Sequence, residues 1–193
     1  MMQKTRTPSL QIGPEVLRSA LAILDDEGPD GFTVRAIAER AGVAPMAIYN
    51  HFDGVNGVID ALWTRGFELL GQAVTYHTDN VEDDFISAGL GYRRFALENR
   101  GLYTVMFLHQ FRNYEPSVAG IQIAAQTYHA LFTVVERCRA AGLFDRSTAS
   151  DAAQVIWSAC HGYVSLELRD MNFARDADYT YATLLATLRS GLR

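Results

Sequence analysis

Thr33, Arg35, Tyr49, Asn50 and His51 place a hydroxyl, a guanidinium, a phenol, an amide and an imidazole in one short stretch, FTVRAIAERAGVAPMAIYNHF, residues 32–52. All five can donate hydrogen bonds to phosphate oxygens, and an arginine can also offer two donors to a guanine edge. The chemistry this set suits is contact with a nucleic-acid duplex. Chemistry on a bound substrate would need other parts. The chain has no GxSxG, no HExxH and no glycine-rich phosphate loop, and His161 has only Cys160 beside it, whose side chain points about 100° away on a helix.

Two short helices must present these groups. Thr33 caps a helix whose apolar positions Val34, Ile37, Ala38 and Ala41 recur at i, i+3, i+4 and i+7. Phe32, just before the cap, is placed to pack on Ile37 and fix the angle at which the chain enters the helix. Gly42 ends it, since a left-handed residue costs glycine little. Pro45 stands at the first position of the next helix, where its missing N–H loses nothing. Ile48 and Phe52 face inward four residues apart, which leaves Met46, Ala47, Tyr49, Asn50 and His51 on the outer face. Upstream, Val16, Leu17, Ala20, Ile23 and Leu24 form one face of a helix from Pro14, closed by Gly28-Pro29. Downstream, Ile59, Leu62, Trp63, Gly66 and Leu70 mark a long helix.

This segment resembles the helix-turn-helix of TetR-type transcriptional regulators, in which a Tyr-x-His-Phe segment closes the recognition helix as Tyr49, His51 and Phe52 do here. The resemblance covers about the first 70 residues. It implies DNA contact by Thr33, Arg35, Ala44, Pro45, Met46, Ala47, Tyr49, Asn50 and His51. Two positions depart from the family pattern. Ala44 replaces the Ser or Thr that commonly caps the recognition helix, a loss of typically ~1 kcal/mol of local helix stability. Val55, in Asp53-Gly54-Val55-Asn56-Gly57, stands where a phosphate-binding lysine is expected.

Charge runs against bulk attraction to phosphate. The net charge is −5, and Met1 to Arg65 hold six basic residues (Lys4, Arg6, Arg18, Arg35, Arg40, Arg65) against eight acidic ones. Local placement must therefore supply the contacts: Lys4 and Arg6 in an N-terminal arm, Arg35 on the second helix, and backbone N–H groups near Pro14 and Gly54. Binding is expected to depend on salt with a modest slope.

With 193 residues, 49% of them hydrophobic, the chain can form a small domain and a larger one. A polar, acidic break from Thr75 to Asp84 is followed by helical spacing over Phe85 to Glu98, Leu102 to His109, Val118 to Ala141, Ala149 to Asp170 and Tyr179 to Leu192. No alternating strand pattern competes. The expected fold is all-α, with about nine helices: a three-helix helix-turn-helix domain over 1–54 joined to a helical ligand-binding and dimerisation bundle over 55–193.

Aromatic and methionine residues crowd the second part. Core packing explains most of them, while a subset suits an apolar cavity between helices. Tyr92, Phe95, Met106, Phe107, Tyr128, Phe132, Trp157 and His161 are the candidates, and the ligand would be small and hydrophobic or aromatic. Trp157-x-x-x-His161-Gly162 resembles a Trp-His-Gly signature of the C-terminal domain in one TetR-type subgroup. Trp157 and His161 lie one turn apart on one helix face. The family pairs its last two helices in an intermolecular four-helix bundle, which implies a homodimer through Val164, Leu168, Tyr181, Leu184, Leu185 and Leu188.

Cys138 and Cys160 form no CxxC, and the histidines have no ligand spacing, so neither a disulfide nor a metal site is expected and no cofactor is implied. No apolar run is long enough to span a bilayer and no charged-then-apolar leader is evident, which predicts no membrane association and a cytoplasmic location. The function implied is that of a ligand-responsive regulator, by family default a repressor, binding a palindromic operator as a homodimer. Two other readings stay open on sequence: a helical binding or interaction module whose DNA face is degenerate, and a small enzyme working in the C-terminal pocket.

Overall fold

The structure, a computed structural model, describes residues 11–193, so Lys4 and Arg6 lie outside the described residues. Nine α-helices and no strand occur among the described residues: α1 (Ile12–Asp26), α2 (Val34–Ala41), α3 (Pro45–Phe52), α4 (Val55–Val74), α5 (Val81–Glu98), α6 (Arg100–Tyr103), α7 (Val118–Ala140), α8 (Ala149–Glu167) and α9 (Ala177–Gly191). One turn of π-helix, Thr104–Leu108, prolongs α6. The helices gather into two compact units. The first holds the chain up to Gly66 together with Arg100–Ile121, and the second holds Phe67–Asn99 and Gln122–Arg193. Residues 11–54 thus share their unit with 55–66 and 100–121.

In the first unit, α1 packs on α2, α3 and α6. The predicted stripes supply the core: Val16, Ala20 and Ile37 are fully buried, as is Ile48 of α3. Helix ends follow local chemistry. Thr33 Oγ1 accepts the Ala36 N–H at 3.2 Å. Gly42 takes φ +66° and lets the amides of residues 42 and 43 return to the Glu39 and Ala38 carbonyls. Phe32 is buried, and its ring lies 5.6 Å from that of Phe111. The acidic end of α1 is partly neutralised, because Arg40 of α2 pairs with Asp26 and Glu27.

In the second unit, α5 packs against α8 and α9. Arg93 of α5 donates to both carboxylate oxygens of Glu167 at 2.7 Å and to Asp178 at 2.7 Å, and its guanidinium lies 5.4 Å from the centre of the Tyr181 ring. The Tyr181 hydroxyl donates to the Gly89 carbonyl at 2.9 Å. One arginine and one tyrosine thereby tie three helices together.

Asp84, 1% exposed, is the buried carboxylate of this unit. Burial opposes its ionisation. The Thr78 amide at 2.9 Å, the Thr78 hydroxyl at 2.8 Å and Arg137 at 2.6 Å outweigh that penalty and hold its pKa below the ordinary carboxylate range. A carboxylate with a depressed folded pKa adds stability that is complete above its unfolded pKa and is lost as pH falls through the folded one. The expected result is a urea midpoint that declines below about pH 4. Asp84→Asn should be less stable at neutral pH and show a shallower acid decline; equal acid slopes for the two proteins would rule the carboxylate out as the cause.

One expectation needs correction. α7 is 23 residues long and apolar enough on average to qualify by length and composition as a bilayer span, although Gln122, Gln126 and His129 interrupt it. Val118, Ile121, Ile123, Leu131, Phe132, Val134 and Val135 raise the average of the whole helix even though polar residues break it into short apolar pieces.

Candidate nucleic-acid interface and aromatic site

The outer face of α3 is open. Met46 is 64% and Tyr49 52% exposed, Asn50 and His51 are exposed, and Ala47 is partly covered, while Ile48 on the opposite side has no exposure. This split follows from the 3.6-residue period, since a helix of eight residues, about two turns, can seat only one narrow stripe against α1 and α2. Pro45 begins the helix, and Ala44 supplies no side-chain cap. Thr33 and Arg35, at the start of α2, are also exposed.

The turn from α3 into α4 is unusually close. Asp53 adopts φ +56°, and a Cβ on Gly57 would lie 1.6 Å from the Phe52 carbonyl oxygen. Only a glycine at 57 allows the first turn of α4 to rest on the last residue of the recognition helix.

Among the described residues of the first unit, Arg18 pairs with Glu15 and Arg40 with Asp26 and Glu27, whereas no ion pair involves Arg35 or Arg112. Arg112 belongs to the irregular segment, residues 109–117, between the π-helical turn and α7. Asn56 Nδ2 donates to the Asn113 carbonyl at 2.9 Å. Asp60 accepts from the Tyr114 hydroxyl at 3.1 Å and from the Ser117 amide at 2.8 Å. Burial, together with the negative Asp60, keeps the Tyr114 phenol protonated. Between α4 and this segment lies an open polar hollow of about 880 Å³. These contacts join residues more than fifty positions apart, and no local pattern announces them.

Six of the eight aromatic-site candidates fall in the second unit. Tyr92 of α5 and His161 of α8 share a hydrogen bond of 3.1 Å between the phenol oxygen and Nδ1. Trp157 lies 6.4 Å from the His161 ring and 5.8 Å from that of Tyr128 on α7. Phe95 is buried in α5, and Phe132 stacks on His129 at 6.0 Å. Burial lowers the His161 pKa, so its imidazole is neutral at neutral pH and offers one donor and one acceptor. Met106 and Phe107 lie instead in the first unit: the Met106 thioether fills the space beside Gly66, and Phe107 packs on Tyr103 at 5.0 Å.

Three of the residues expected on an intermolecular seam are corrected by burial. Val164, Tyr181 and Leu185 are 0% exposed within one chain, so no surface of theirs remains for a partner. Leu168, Leu184 and Leu188 keep intermediate exposure. The exposed apolar residues of α8 are Val155 and Leu166. Helical spacing cannot distinguish a stripe that faces the chain's own core from one that faces a second copy.

Residues 16–62 match the family described as bacterial regulatory proteins, tetR family, and residues 85–188 match the tetracyclin repressor-like C-terminal domain, a range that includes Trp157, His161 and Gly162. An uncharacterized HTH-type transcriptional regulator of Mycobacterium tuberculosis is 27% identical over 179 residues, which cover 92% of this chain and 79% of that protein. Among solved structures, a Rhodococcus protein of unknown function superposes with a TM-score of 0.80 at 25% identity, covering 94% of this chain and 95% of that one. A TetR protein of Acinetobacter baumannii in complex with minocycline superposes at 0.65 with 21% identity, covering 91% and 93%, a likeness of fold. With a recognition helix open to the outside, a matching N-terminal domain and a matching C-terminal domain over more than half its length, the chain belongs to the TetR family of bacterial transcriptional regulators, with a helix-turn-helix DNA-binding domain and a ligand-binding domain.

Proposed function

We propose that this protein is a cytoplasmic repressor that binds a palindromic operator as a homodimer and leaves it when a small, mostly hydrophobic effector occupies the second unit. The observation that carries this reading is the open outer face of α3, where Met46, Tyr49, Asn50 and His51 stand clear of the protein while Ile48 anchors the helix from behind. In this reading Thr33, Tyr49 and His51 bind phosphates, Arg35 reads a base edge, and Ala44, Pro45, Met46 and Ala47 approach the groove. Residues 11–54 are the reading head, and the rest of the chain holds the effector and the dimer seam. The exposed faces of α8 and α9, with Val155, Leu166, Leu168, Leu184 and Leu188, form that seam. A two-fold axis then sets the two recognition helices about one duplex turn apart, ~34–36 Å or somewhat wider.

The effector site is built around Tyr92, Tyr128, Trp157 and His161, with Phe95 and Phe132 as apolar walls. Three rings with one neutral imidazole suit an aromatic or aliphatic molecule carrying one hydrogen-bonding group. A related fold binds minocycline, a precedent for such a ligand in this architecture. Release follows if the effector prefers a conformation with the wrong helix separation, and only by the amount of that preference.

Selection of bound duplexes from a random library is the test. An inverted repeat should emerge, and Arg35→Ala should cost ~1–3 kcal/mol and relax preference at one base pair in each half-site. Equal losses on every sequence would remove Arg35 from base reading, and recovery of no duplex at all would leave the DNA reading without support.

A further inference from the structure

We propose that Arg112 is a DNA phosphate contact, supplied to the reading head by the segment between the π-turn and α7 in place of a basic residue on α4. This rests on the DNA-binding reading above and extends it to a part of the chain far from the helix-turn-helix in sequence. The two neighbours of Arg112 are both anchored. Phe111 packs on Phe32, one residue before the Thr33 cap of α2. Asn113 accepts a hydrogen bond from Asn56, the second residue of α4. Arg112 is therefore held near the starts of both helices, and it lines the same hollow as Asn56 and Gly57.

Its charge is available. Arg112 is exposed and makes no ion pair among the described residues, while Arg18 and Arg40 are occupied by acids. Asp60, which also lines the hollow, is engaged by the Tyr114 hydroxyl and the Ser117 amide. The other acid there, Glu115, is exposed and bears the opposite sign at nearly the same place. The need is clear as well: the first turn of α4 reads Val55-Asn56-Gly57, with no cation, on a protein of net charge −5. An arginine whose backbone is held by anchored neighbours loses less conformational entropy on gripping a phosphate than one on a free loop.

The test compares the full chain with Arg112→Gln, Arg112→Lys and Glu115→Gln, each titrated with a mixed-sequence DNA duplex across a series of salt concentrations. Arg112→Gln should weaken binding about 3- to 10-fold at low salt and reduce the slope of log affinity against log salt by ~0.9 per bound chain. Arg112→Lys should keep the slope, and Glu115→Gln should tighten binding. A wild-type salt slope retained by Arg112→Gln overturns the proposal. So does a loss shared equally by Gln and Lys at unchanged slope, which would mark a packing role. Failure of the wild-type chain to bind the duplex even in dilute buffer is a different result, since it overturns the DNA reading itself.

Discussion

Gly57→Ala is expected to destabilise the first unit by at least ~3 kcal/mol and to abolish operator binding, because the added methyl would fall on the Phe52 carbonyl oxygen, 1.6 Å away. The obstacle is backbone rather than the movable end of a side chain. Relief requires α4 to lift from the end of α3, and that lift tilts the helix carrying Tyr49, Asn50 and His51. Stability and function therefore fall together in this variant. Gly13→Ala is the internal control: its new methyl would meet only the tip of the Phe52 ring at 3.9 Å, an ordinary contact, and the change should shift stability by no more than ~1 kcal/mol. Thermal melts of the two variants, read beside duplex binding, decide the matter. A Gly57→Ala melt within error of wild type would show that the corner can open at no cost.

The second large effect belongs to the other unit. Glu167→Ala should cost ~3–5 kcal/mol, since it strips Arg93 of both its strongest acceptors at once. The side chains of Arg93 and Glu167 are only 12% and 14% exposed, so water replaces the lost acceptors only in part, and the remaining partner, Asp178, is 88% exposed and weakly held. Replacing both residues by methionine should be less harmful than Glu167→Ala alone, because the penalty lies in leaving one charge buried without its counterpart. Urea unfolding measures both. If Glu167→Ala lost less than about 1 kcal/mol, the α5–α8–α9 junction would owe its stability to apolar packing around Tyr181 and Leu185 instead.

The two units differ in how their glycines and charges are used. In the first, close backbone approach sets the attitude of a helix whose outer face must stay free. In the second, an ion cluster and the buried Asp84 hold helices whose inner faces carry Tyr92, Trp157 and His161.

What the sequence determined by itself was local. Thr33, Gly42 and Pro45 fixed the ends of α2 and the start of α3 through capping, a left-handed residue and a preset φ, all of which act within a few bonds. The stripe of Val16, Ala20, Ile37 and Ile48 fixed which faces turn inward, and so left Met46, Tyr49, Asn50 and His51 outside. Tertiary structure alone decided three further matters. It grouped Arg100–Ile121 with the helix-turn-helix, through pairs such as Asp60 with Tyr114 and Phe32 with Phe111. It drew Val164, Tyr181 and Leu185 into the core of one chain, and it parted Met106 and Phe107 from the ring cluster around Trp157. The reason is physical. Periodicity tells a helix which side is apolar, but the element that covers that side is chosen by contacts between residues far apart in the chain, and those carry no local signature.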